Sequence, residues 1–98
     1  MLTAAQCRAA RALLDASLET LSKASAVDVQ AIRSFEQMVH EADDEAQHRL
    51  RRALEAAGVV FIAENGGGAG VRLKYNRRDV RAIRRWEGEG GITAPGGG

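Results

Sequence analysis

The residues best equipped for chemistry in this chain stand close together: Val29, Gln30, Arg33 and Ser34. A glutamine can pair with two positions on adenine and an arginine with two on guanine, while valine can touch a thymine methyl. The chemistry on offer is recognition of base edges, not bond making. Arg8 and Arg11, three residues apart near the start, could add contacts to phosphates that position but do not specify; a solvated basic face is the plain alternative for that pair.

Other reactive side chains do not assemble into a site. Cys7 is the single cysteine, so no internal disulfide is possible, and its simplest role is a small residue packed on the first helix. His40 and His48 have neither cysteine partners for a metal nor a paired nucleophile, so an enzyme, a metal and a cofactor are not expected. The run GGGAG at 66–70 lacks the lysine–hydroxyl ending of a phosphate-binding loop, and no helix start follows it.

The elements that must position Gln30 and Arg33 lie within residues 17–36. Leu18, Leu21 and Ala24 step by three along a helix face, Val27 falls in a break, and Ile32 and Phe35 resume the spacing. Two short helices about an apolar plug make a helix-turn-helix, with Ser17 and Asp28 as caps. The outward positions of its second helix would meet base edges.

The flanking chain reads as follows. Residues 1–15 form a first helix with a capping box at Thr3 and Gln6, and Ala10, Leu13 and Leu14 toward the core. Residues 37–44, QMVHEADD, could extend the recognition helix by a turn. Residues 45–57 make a helix striped by Leu50, Ala53, Leu54 and Ala57 and stopped by Gly58; Gln47 interrupts the stripe. Residues 59–62 and 71–75 are two strands of a hairpin. A lone hairpin is barely stable in water, so it must pack on the helices or pair with a second copy. Val59, Phe61, Val71 and Leu73 are the candidate dimerisation residues. Residues 76–87 read as a helix with Val80, Ile83 and Trp86 against five arginines, and residues 88–98 as a disordered tail with six glycines and Pro95.

Leu21, Ala24, Val27, Ile32, Phe35 and Glu36, at these spacings, resemble Cro-like regulators of the xenobiotic-response-element helix-turn-helix family. The segment RRALEAAGVVFIAENGGGAGVRL is similar to the end of a short proteobacterial subgroup, so the resemblance covers roughly three-quarters of the chain. It implies a compact, dimeric, helical DNA-binding domain that represses or activates transcription. The chain departs from the family at Ala26, where glycine is usual, at Asp28 and Val29, which open the recognition helix, and at Leu18, often a phosphate-holding glutamine.

The expected fold is therefore mainly α: a Cro- and lambda-repressor-like bundle containing a helix-turn-helix over 1–58, a β-hairpin over 59–75, a basic helix over 76–87 and a tail over 88–98. Hydrophobic content is 45% with only one Trp, one Tyr and two Phe, which favours close-packed helices over a sheet sandwich. Net charge is +1, so the overall field does not announce a nucleic-acid binder. Glu36, Glu41, Asp43, Asp44 and Glu45 crowd residues 36–48 without a Lys or Arg, and would oppose phosphates if they faced them. No leader or membrane-spanning run is evident, so a cytoplasmic protein is expected. The leading expectation is a sequence-specific transcriptional regulator binding double-stranded DNA as a homodimer. The alternative is a protein-interaction module, an anti-activator or partner-titrating protein on the same fold; an antitoxin-like combination of the two roles comes third.

Overall fold

The computed structural model describes residues 1–74. Tyr75, the expected basic helix and the expected tail lie outside the described residues. Those described are mainly helical, with four helices followed by a two-stranded antiparallel hairpin.

Helix α1 spans Ala4–Leu14 and starts with the expected capping box: the Thr3 hydroxyl accepts from the Gln6 amide and the Gln6 side chain accepts from the Thr3 amide. Its inward stripe is Cys7, Ala10 and Leu14. Leu13, expected inward, is 42% exposed. The stripe of α1 that its partners cover runs through Cys7, Ala10 and Leu14, and Leu13, about 100° around the helix from Leu14, falls on its solvent side.

Helix α2 spans Leu18–Ser25, with Ser17 accepting from the Thr20 amide. Its buried positions are Leu21 and Ser25, with Leu18 packed beside them. Ala24, expected on this face, is exposed. The stripe runs 18–21–25, and the buried Ser25 hydroxyl satisfies itself by donating to the Leu21 carbonyl and accepting from the Val27 amide.

A short turn leads into α3, Val29–Glu36, capped by Asp28, which accepts from the Gln30 amide at 2.9 Å. Val27 is buried as the plug, and Ile32 and Phe35 face the core. The acidic sequel does not prolong α3. Gln37 caps the helix, Met38 takes φ +62°, and the amides of Val39 and His40 both donate to the Ser34 carbonyl. A left-handed residue cannot continue a right-handed helix, so the chain turns away.

Helix α4 spans Asp44–Ala56, one residue earlier than expected, because Asp43 caps it through the Ala46 amide. Leu50, Ala53, Leu54 and Ala57 are buried, and Gly58 at φ +109° lets the chain reverse. Gln47, the break in the stripe, donates to the Ala42 carbonyl. Strand β1 (Val59–Ile62) then pairs with β2 (Gly70–Leu73) in the register Val59 to Leu73 and Ile62 to Gly70. Gln6 donates to the Gly70 carbonyl and ties the hairpin to α1. Leu21, Ile32, Leu50, Leu54 and Cys7 form the fully buried centre, so α1–α4 share one core. Among the described residues no helix is long and apolar enough to cross a membrane.

Ala26 takes φ +62° at the end of α2, at the position where the family that the sequence resembles usually has glycine. An L side chain there costs on the order of 1 kcal/mol. Ala26→Gly should therefore stabilise the fold by about 1 kcal/mol, read as a higher denaturant midpoint at unchanged slope.

Candidate nucleic-acid interface

The outward face of α3 is set by what holds its inward face. Glu36, the last residue of α3, is 3% exposed. Arg11 grips its carboxylate with a two-pronged fork, Nε to Oε2 at 2.8 Å and Nη2 to Oε1 at 2.6 Å. The Cys7 thiol donates to Oε2 at 3.1 Å. Arg8 donates to the Glu36 backbone carbonyl, where a cation also meets the negative end of α3. The remaining Arg11 contact runs to the Ala16 carbonyl at 3.1 Å, just beyond α1. One carboxylate thus joins the middle of α1 to the end of α3.

The electrostatics follow from this packing. Burial, and then the hydrogen bond to Glu36, push the Cys7 thiol far above its ordinary range, so it stays protonated. The hydrogen bond to Glu36 raises the already high Arg11 value, outweighing the opposing effect of burial. Arg8 and Arg11 border a shallow depression with Asp15 and Ser17. Both arginines are thereby placed at one edge of the α2–α3 surface, but the Arg11 fork is already engaged within the chain.

With Ile32, Phe35 and Glu36 held inside, α3 presents Gln30 and Arg33 to solvent and leaves Val29 and Ser34 half-buried. Gln37 is also exposed and completes a 30–33–34–37 stripe on one helical face. Its spacing of seven from Gln30 is a signal in the sequence that could have marked it. Arg49 of α4 is a second residue absent from the sequence-predicted set. It pairs with Glu45 at 2.7 Å, and its Nη1 lies 3.5 Å from the Ala26 carbonyl, so it brings positive charge to the turn between α2 and α3. No local signal marks that contact, because 23 positions separate its ends.

The acidic segment is divided by the fold. Glu36 turns inward, whereas Glu41, Asp43, Asp44 and Glu45 remain exposed. Asp43 and its two successors lie at the positive end of α4, where they complement the helix dipole. The hairpin side chains expected at a dimer contact face their own chain: Val59 is in the core, and Phe61, Val71 and Leu73 pack partly buried against it. Arg51 lies over the Phe61 ring at 5.1 Å. Pairing with a second hairpin would therefore rely on strand edges. His40 and His48 are exposed, and no group of metal-binding side chains occurs among the described residues.

Comparison with protein-family models gives no match, and comparison with curated proteins gives none either.

Removing Arg11 would leave the Glu36 carboxylate buried and uncompensated. Arg11→Met should cost about 3 kcal/mol in denaturant unfolding, the lower end of the range for breaking a buried pair, because Arg11 keeps 22% of its side-chain surface. Adding Glu36→Leu should restore much of that loss. The thiol gives an alkaline signature. Unfolded Cys7 ionises near ~8.5 while the folded thiol does not, so deprotonation favours the unfolded chain and stability falls as pH rises above that value. The slope attributable to Cys7 should approach about 1.4 kcal/mol per pH unit, read as the difference between wild type and Cys7→Ala.

Proposed function

We propose that this chain is a DNA-binding regulator of the Cro-like, xenobiotic-response-element helix-turn-helix kind, acting on double-stranded DNA as a homodimer. In this reading α2 crosses the backbone and α3 enters the major groove. Gln30, Arg33, Ser34 and Gln37 meet base edges, with Val29 against a thymine methyl. Arg8 and Arg49 stand toward phosphates, while the three guanidinium nitrogens of Arg11 stay engaged with Glu36 and Ala16.

The observation that carries this reading is the 30–33–34–37 stripe. It is a hydrogen-bonding face on an eight-residue helix and its C-terminal cap, Gln37, and the opposite side of that helix is tied into the core by Ile32, Phe35 and the buried Glu36. Side chains intended to read a rigid surface need such a support, because small misplacement loses bidentate pairing. The exposed acids act against it: Asp28 caps α3 at the end where an anion would otherwise approach.

A second reading, a protein-interaction module such as an anti-activator or partner-titrating protein, is favoured by Met38 and Val39. They are 78% and 61% exposed beside the acidic loop and next to the end of α3. Contact with a protein, not a phosphate backbone, would use both features.

Titration of random-sequence duplex DNA against salt separates the two. Affinity should fall linearly on a log–log plot, with a slope of about −0.9 for each phosphate neutralised. Absence of binding at low salt would overturn the DNA reading and leave the protein-interaction one. On a selected site, Arg33→Ala should cost about 1–3 kcal/mol and relax base preference at one position. Sedimentation of the full chain reads the dimer.

A further inference from the structure

Five large hydrophobic residues are exposed among the described residues, and three of them, Met1, Met38 and Val39, line one groove. It opens between the N-terminus and the loop joining α3 to α4, encloses about 790 Å³, and has Phe35 in its wall. Its rim is acidic, with Glu41 and Asp44, and among the described residues no Lys or Arg side chain lines it. An apolar floor with an anionic edge calls for an occupant that is apolar on one side and cationic on the other.

Such a segment exists in this chain beyond the described residues. Val80, Ile83 and Trp86 recur every third position, while Arg77, Arg78, Arg81, Arg84 and Arg85 fill the opposite half of a helical wheel. Its reach also fits. The Lys74 amide donates to the Gly58 carbonyl, just past the end of α4, while the groove lies at the start of α4. The 13 residues of α4 span about 20 Å. Residues 77–87 as a helix cover about 16 Å, and a two-residue link adds about 7 Å. Running back along α4, the segment would bring Ile83 and Trp86 to the groove.

We infer that residues 77–87 of the same chain dock in this groove, Ile83 and Trp86 on its apolar floor and the arginines against Glu41 and Asp44. Docking would cover Met38 and Val39 and neutralise the acidic rim beside α3. This inference does not rest on the DNA reading: groove, charge and chain length carry it whatever the α3 surface binds.

Trp86 is the only tryptophan, so its fluorescence in the full-length protein reports the segment directly. The expected result is blue-shifted emission, shielded from acrylamide and unchanged on dilution. Met38→Asn combined with Val39→Ser should move the emission to longer wavelength and increase quenching, as should Glu41→Lys alone. Both sites are exposed and Asn tolerates the left-handed backbone at position 38, so far-UV circular dichroism should show the helices retained. Ile62→Ser, which removes an exposed apolar side chain on the hairpin, should leave the emission as it was. A solvent-exposed Trp86 in the wild type would overturn the inference. So would a shielded Trp86 indifferent to both groove variants. Shielding lost on dilution would assign the groove to a second copy's segment and overturn docking within one chain.

Discussion

The carboxylate of Glu36 lies out of water at the point where α3 meets α1, and the geometry of the α3 surface depends on how that charge is held. An isolated carboxylate in such a place would cost several kcal/mol, which only close, well-aimed donors can offset. The fork of Arg11 supplies two of them and the Cys7 thiol a third. Compared with a well-packed apolar pair of the same shape, this cluster adds little net stability. Its contribution is direction. Ile32 and Phe35 could accommodate a small rotation of α3, because dispersion contacts are not directional. The two-pronged fork could not, since both of its hydrogen bonds would lengthen together. Gln30, Arg33 and Gln37 point outward with a defined bearing for that reason.

The joint between α2 and α3 is held by a different means. The hydroxyls of Ser22 and Ser25 take the Val27 carbonyl and amide, while Val27 itself fills the core between the helices. Ala26 accepts a left-handed backbone to let the chain turn within so few residues. Polar contacts thus set the angle locally, and one apolar side chain sets the depth. The hairpin closes the opposite side, with Val59 in the shared core and Gln6 linking β2 to α1.

Charge in the sequence and charge on the surface differ here. Of the acids gathered in residues 36–48, Glu36 is turned inside the protein, and Asp43 caps α4. Asp28 likewise serves α3 as a cap. The exposed Arg49–Glu45 pair is worth little as an ion pair, yet it holds a guanidinium near the α2–α3 turn. The loop after α3 is the part where acidic charge and exposed apolar surface coincide.

Features governed by neighbours along the chain are legible from the residues themselves. The Thr3–Gln6 capping box, the caps at Ser17 and Asp28, the stop at Gly58 and the two strands all rest on signals within a few residues, where spacing dictates geometry. The stripes of α3 and α4 are equally readable. Leu13 and Ala24 fall on the wrong face because a helix can satisfy several three- and four-step patterns, and only the partner surface selects among them. The end of α3 escapes because nothing in QMVHEADD signals that Met38 will turn left-handed. Glu36 is the largest loss: among its neighbours it belongs to an acidic surface, whereas its partner Arg11 stands 25 residues away. Whether a charge is buried depends on what the fold brings beside it, and a linear spacing of that length carries no record of the encounter. Within residues 1–74, sequence alone determined which helices form, and tertiary structure decided which face of α3 meets the outside.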